Sequence, residues 1–534
     1  MNLLILSTLW IHDVQAYGFI RTEDGTPLRW TAPNQLRSDM PYLPFVGNPR
    51  NQSEINWDVL QDAVVHSLQR WEHASGDAFA FDYWQGDDAS IYIPALRRDG
   101  VSSIFFASNA LYNEDVIEVL QGSIAYTQIW YDEYGAINEA DIILNDLLFR
   151  FETDPALARY DVGGLGPSKI FLEDVLTHEI GHALGLTHSG AMGSTMFTWS
   201  WFDQSTVSCD DALGIRDLYD APASGGAITG AVVGEDDVPI FAAQAVAISM
   251  QHHRPVAAAF TEKDGTYRIE GLPAGDYLVM IEPLYAGEES LSEYYDGEVS
   301  HTLCGKSLFA RHLIEQVVEI EAGSISQMPT ATVGCELNIT PRSDQVALIP
   351  SGLDDALFYF TDTFEDTTRR RYDLTGMSGW LEMTAISYSL FSPLMLGIDV
   401  ETDRSLEDDV SLPAQEDPAT GWQIFDTYLF AELSGEAASL ELKPNFLATE
   451  MIPGNERYVD PQNFSLIIGS LKAELDALPA PLACESEPDF YPYQSPEGLP
   501  PRKAVAYDGS LRVAGCTETS SVQIASIFLP IGLW

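Results

Sequence analysis

At 534 residues the chain is longer than one hydrophobic core supports, so three or four domains are expected. Hydrophobic residues make up 46% and aromatics 11%, which excludes a disordered chain. The balance of 27 basic against 80 acidic residues, a net charge of -53, excludes nucleic acid and anionic membrane as partners; it suits salty or calcium-containing surroundings, or simply serves solubility.

Residues 1–16 read as a secretory signal peptide, with Leu3 to Ile11 as a short apolar core and Val14-Gln15-Ala16 as the cleavage point, although no basic residue precedes the core. Leu28-Arg29-Trp30 and the run to Phe45 read as extended. Leu60, Val64, Leu68 and Trp71 recur at helical spacing and predict an amphipathic helix over 54–72. Phe79-Ala80-Phe81 and Ile91-Tyr92-Ile93 follow as strands. Ser123 to Tyr131 and Ala136 to Leu144 are two more, joined by the turn Asp132-Glu133-Tyr134-Gly135. The glycine-rich loop 163–168 leads into a helix predicted over Phe171 to Leu186, with Ser168 as its candidate cap.

That helix carries the chemistry. Thr177 to Ser189 reads H-E-x-x-H-x-x-G-x-x-H, with Met196 a few residues on. On a helix, His178 and His182 project from one face and can ligate one ion. Gly185 lets the chain leave the helix in a conformation other residues resist, so that His188 can return as third ligand. Three neutral imidazoles leave a fourth zinc position open for water, the catalytic rather than the closed structural arrangement. Zinc lowers the pKa of such a water to about 7, and Glu179, one position round from His178, is placed to take its proton as general base. A bare H-E-x-x-H arises by chance in many helices; the extension through Gly185 and His188 does not arise so easily.

The extended motif with its downstream methionine resembles the metzincin zinc endopeptidases, and the stretch Cys209 to Tyr219, of pattern D-D-x-x-G-I-x-x-L-Y, resembles the helix closing the catalytic domain of the matrixin branch. The resemblance runs from about residue 28 to 220. It implies that His178, His182 and His188 bind Zn2+, that Glu179 is the base and that Met196 forms the turn beneath the metal. It also implies structural Ca2+ on acidic loops, with Asp132, Glu133 and Asp141 as candidates, although clustered carboxylates in so acidic a chain are ordinarily a solvated face. The aromatic run Phe197 to Phe202 would lie along a specificity pocket, or belong to the core. The thiol-bearing pro-segment motif P-R-C-G-x-P-D is absent, so latency through a cysteine on zinc is not expected.

Ala221 to Gly226 is a linker by composition. Beyond it, Ile228 to Val233 and Lys263 to Val279 read as strands, with Asp264-Gly265 as a hairpin turn and Tyr267, Ile269, Tyr277 and Val279 alternating. This stretch resembles the carboxypeptidase-regulatory-type, transthyretin-like β-sandwich. Ala356 to Phe360, Trp422 to Phe425 and Phe464 to Ile468 are strand-like, predicting another sandwich for surface or matrix attachment. The apolar tail Ile524 to Trp534 is too short to span a bilayer. Five cysteines suit an exported protein. By spacing, Cys304–Cys335 and Cys484–Cys516 would pair within domains and leave Cys209 over.

The expected architecture is therefore α+β: a metzincin-type catalytic domain, a mixed twisted sheet with a long zinc helix, over residues 17–221; a linker, 222–226; then all-β sandwich domains over 227–335 and 336–534. The expected function is that of a secreted, extracellular, bacterial zinc endopeptidase acting on protein or peptide substrates, without a transmembrane span. The competing class is an adhesive or binding protein that uses the zinc domain as a non-catalytic scaffold; an intact Glu179 speaks against it.

Overall fold

The computed structural model describes residues 17–22, 25–31, 38–40, 45–46, 57–76, 78–81, 96–109, 113–120, 123–154, 169–189, 191, 194–197, 204–221, 225–283, 309–338, 356–363, 370–374, 376–389, 396–401, 410–411, 415–417, 422–434, 439–444, 464–472 and 484. The expected signal peptide, the strand Ile91 to Ile93, the loop 163–168, the aromatic run after Phe197, Cys304, Cys516 and the apolar tail lie outside them.

The first unit is a mixed sheet carrying helices. The parallel strands Arg29–Trp30, Phe45–Val46 and Ile104–Phe106 join Ala136–Leu144, whose other side pairs antiparallel with Ala125–Tyr131. Ala136–Leu144 is central and almost wholly buried beyond Asn138, as its run Ala140-Asp141-Ile142-Ile143-Leu144 requires. Ala125–Tyr131 is the edge, half-buried along most of its length.

Helix α1, Trp57–Ala74, turns Leu60, Val64, Leu68 and Trp71 inward. Helix α2, Asn113–Leu120, packs Val116 and Leu120 on Phe105 and Ile143. Helix α3, Leu172–Ala183, crosses α1 and the edge strand. Trp71 Nε1 donates to Thr177 O at 2.8 Å, and the buried Glu173 receives Arg70 at 2.6 Å, so α1 and α3 are joined by both apolar and polar contacts. Helix α4, Cys209–Leu218, is capped by Ser208, whose hydroxyl accepts from Asp211 N. The cap position of α3 is held by Phe171 without a side-chain bond, after Lys169–Phe171 has paired with Arg150–Glu152 as a short parallel strand.

The second unit consists of two four-stranded sheets. One contains Gly226–Gly234, Thr266–Leu272, Ile325–Gln327 and Ala331–Val333; the other runs Arg254–Phe260, Gln244–Ser249, Gly275–Glu282, His312–Ile320. Gly226, expected in the linker, is already strand. Tyr267 and Ile269 from one sheet and Tyr277 and Val279 from the other are buried in one core. Asp264-Gly265 is a turn, but not a hairpin: Arg254–Phe260 pairs with Gln244–Ser249 and Thr266–Leu272 with Gly226–Gly234, so the turn carries the chain from sheet to sheet.

Further on, Ala356–Thr363, Phe464–Lys472, Ser378–Ser389 and Trp422–Ser434 run in that order as the body of a six-stranded sheet, beside a three-stranded one. Ile386, Leu466 and Ile468 of the larger sheet share a buried cluster with Val246, Ile248, Leu278 and Leu313 of the second unit. Among the described residues, no helix is long and apolar enough to cross a membrane.

The expected cysteine pairing is overturned at two points. Cys209, expected to be left over, is bonded to Cys484, 275 residues away, and Cys484 is therefore not paired with Cys516. Cys335 is also disulfide-bonded.

Candidate metal centre

The end of α3 explains how three histidines converge. Gly185 has φ +105°; its N–H bonds His182 O at 2.8 Å and the next N–H, of Leu186, bonds Gly181 O at 3.0 Å, the paired closure of a Schellman motif. A Cβ on Gly185 would lie 2.1 Å from Leu28 O, so glycine is required by both torsion and space. Trp30 Nε1 and Tyr219 OH donate to Ala183 O and Leu184 O, each at 2.9 Å, satisfying carbonyls the helix end leaves open. Gly185→Ala combines backbone strain of roughly 1–3 kcal/mol with overpacking of roughly 1–3 kcal/mol. We expect a loss of that combined order in urea unfolding.

After Gly185 the chain runs as Leu186-Thr187-His188 beside residues 18–20, with Thr187 N donating to Gly18 O at 3.0 Å, while Ser189 N donates to Met196 O at 2.9 Å. The rings of His178, His182 and His188 therefore meet. Their centroids stand 4.8 Å (178–182), 4.8 Å (182–188) and 5.4 Å (178–188) apart, and their ligand atoms lie within 4.8 Å of one another.

The donor chemistry fits a metal. His178 Nδ1 lies 2.7 Å from Thr195 O and His182 Nδ1 2.9 Å from Leu186 O. A carbonyl oxygen only accepts, so each Nδ1 carries the proton and each Nε2 keeps its lone pair for a ligand bond. Among the described residues, His188 Nδ1 is buried without a hydrogen-bond partner. Burial holds His178 down at about 4, burial and the neighbouring His178 hold His182 at about 3, and burial with both neighbours holds His188 well below its usual value. All three are neutral at pH 7, the form that binds zinc.

Glu179 is buried, and its carboxyl is pushed up to about 7 by burial, opposed by the Thr127 hydroxyl that donates to Oε2. Thr127 stands on the edge strand Ala125–Tyr131, so sheet and helix meet at the acid. Met196 is buried against helix α3. A Cβ on Gly181 would lie 2.2 Å from its Sδ and 2.8 Å from Trp71 Cζ2, so only glycine admits this close approach.

Two acids at the start of α4 were not singled out in the sequence, although the D-D-x-x-G-I pattern contains them. Asp211 accepts from Thr195 N at 2.6 Å and Met196 N at 3.0 Å, which fixes the carbonyl that orients His178. Asp210 accepts from Ser189 Oγ at 2.5 Å, next to His188. Burial raises both acids above the usual carboxylate range, and Asp211 adds to the effect on Asp210.

The candidate calcium residues are not brought together: among the described residues, the three histidines form the group able to surround a cation. Asp132 closes its own turn by accepting from Tyr134 N and Ala136 N at 2.9 and 3.0 Å. Glu133 is exposed in that turn. Asp141 is buried on the central strand, where Ser103 N and Oγ donate to its Oδ1 and burial pushes it to about 7.

Comparison with known proteins agrees with this geometry over one part of the chain. Residues 45–220 match the family model described as matrixin, Peptidase_M10. Interstitial collagenase A of Mus musculus is 29% identical over 174 residues, covering 30% of this chain and 36% of that protein. The chain thus matches about a third of the length of this curated relative. Among solved structures, the TIE protein of Bacillus anthracis (13% identity, 42% of this chain, 32% of that one, TM-score 0.13) and BcpA, the major pilin subunit of Bacillus cereus (9%, 47% and 60%, TM-score 0.13), overlap too loosely to assign a fold.

Proposed function

We propose that the protein is a secreted zinc endopeptidase that hydrolyses peptide bonds in protein substrates. The observation that carries this reading is the convergence of three neutral imidazoles beside the buried Glu179. His178, His182 and His188 would hold the ion, which when bound supplies a Lewis acid and brings a coordinated water to a pKa of about 7. The chain's own groups do the rest. Thr127 holds one oxygen of Glu179, leaving the other to accept a proton from water and deliver it to the leaving amine. Among the described residues, Ala125–Tyr131 pairs on one side only, so its free edge can take an extended substrate backbone as an added strand. The Cys209–Cys484 bond suits an oxidising, extracellular setting.

The test is casein or gelatin cleavage by purified protein, with a chelator abolishing it and zinc restoring it. An intact substrate in the presence of a zinc-loaded protein would instead favour the scaffold reading, in which a base beside the metal has no use. Thr127→Val keeps the branched shape and removes the hydroxyl that orients Glu179. Losing about 1.4 kcal/mol of a charge-assisted bond lowers kcat about tenfold while KM stays within twofold; an unchanged kcat in steady-state peptide assays would show that Glu179 needs no such support.

A further inference from the structure

We propose that the edge strand Arg254–Phe260 of the second unit is a working part of the metal centre, positioning the third ligand segment through Asp210. The inference rests on the reading of His188 as a ligand.

Among the described residues, Arg254–Phe260 is the outer strand of its sheet and pairs only with Gln244–Ser249. Ala258 stands opposite Val246, but its N–H points away from that neighbour and donates to Asp210 Oδ1 at 2.6 Å. The other oxygen of Asp210 accepts from Ser189 Oγ at 2.5 Å, and Ser189 Oγ accepts from Ala191 N at 3.0 Å. One buried carboxylate thus bridges a strand of the second unit to the residue after His188. Two further contacts fall on the same segment. A Cβ on Gly18 would lie 2.8 Å from Thr187 Cγ2, 2.9 Å from His188 O and 2.9 Å from Phe260 Cε2, so the last residue of the edge strand packs where residue 18 crosses the third ligand. Ala191 is buried in the cluster that contains Ala258, Val246 and, from the third region, Ile386 and Leu466.

An edge strand exposes unpaired N–H groups and must be covered. Here the start of α4 covers it through Asp210, and the same carboxylate restrains the ligand-bearing loop at Ser189. His178 and His182 are fixed by helix α3 itself. His188 is on irregular chain, and its restraint comes from residues 17–20, the Met196 turn and this strand. Groups that orient ligands from behind typically change metal affinity 10–100-fold when removed.

Ala258→Pro removes the one N–H concerned. The ladder with Val246 does not use it, and an edge strand tolerates proline where its N–H faces outward. Full-length protein loaded with zinc is mixed with a chelator, and zinc release is followed by a colorimetric indicator. Deuterium exchange of residues 186–197 is measured separately on metal-free protein. We expect release at least tenfold faster in Ala258→Pro, faster exchange across 186–197, and rescue of both by Ala258→Gly, which keeps the N–H. If Ala258→Pro does not fold, Ser189→Ala cuts the bridge from its other end and is expected to shift both readouts in the same direction. Release and exchange within twofold of wild type, with only the thermal midpoint lowered, would reduce the contact to ordinary packing and overturn the proposal. A wild type that takes up no zinc would defeat the ligand reading instead, and the exchange comparison would still decide whether the strand restrains the loop.

Discussion

Glu179→Gln is expected to keep its zinc and lose peptide hydrolysis by about 10²- to 10⁴-fold, the range a positioned general base contributes. Glutamine has the shape of glutamate and still accepts the Thr127 hydroxyl through its carbonyl, so the helix, the edge strand and the three rings should remain in place. What it lacks is an oxygen that can take up a proton. The carboxyl is buried and not part of the histidine cluster, so exchanging it removes basicity without removing a ligand. Metal content by mass spectrometry and kcat on a quenched peptide separate the two effects. A glutamine variant with wild-type kcat would remove Glu179 from the chemistry.

The convergence of the three histidines was legible in the sequence because its geometry is local. A spacing of four on a helix fixes His178 against His182, and a glycine at the helix end fixes where His188 can return. The alternation of Tyr267, Ile269, Tyr277 and Val279 was legible for the same reason, since a strand shows its period in its own residues. What could not be read depends on neighbours remote in the chain. Periodicity says which face of a strand is buried but not which sheet the strand joins, so the Asp264-Gly265 turn looked like a hairpin and is a crossing between sheets. Spacing favoured cysteine pairs within domains, whereas Cys209 and Cys484 meet because distant parts of the chain fold against each other at the start of α4. Asp210 and Asp211 stand next to each other in a very acidic chain, where a carboxylate pair usually means solvent. Only the fold shows them buried, one holding the Met196 turn and the other the segment after His188. Asp132 and Asp141, read from the sequence as candidate calcium residues, have protein partners that composition does not show: Asp132 accepts from its own turn and Asp141 from Ser103.

His182→Ala is expected to abolish zinc binding, and with it all cleavage. His182 is the middle ring of the three, 4.8 Å from each neighbour, and its bond to Leu186 O ties it to the turn that returns His188. Alanine leaves two imidazoles and an opened cavity, and two ligands do not hold zinc against buffer and chelator as three do. Because a ligand that binds only the folded state stabilises it, zinc at 100 times its dissociation constant should add about 2.7 kcal/mol to the wild type. Zinc should raise the thermal midpoint of the wild type and of Glu179→Gln equally, and leave His182→Ala unmoved. The pairing is informative because the two residues sit on the same helix three positions apart. If His182→Ala showed the full zinc-dependent rise, the ion would be bound elsewhere and the three rings would not be its site. If Glu179→Gln lost the rise, the glutamate would be acting as a ligand rather than as the base beside one.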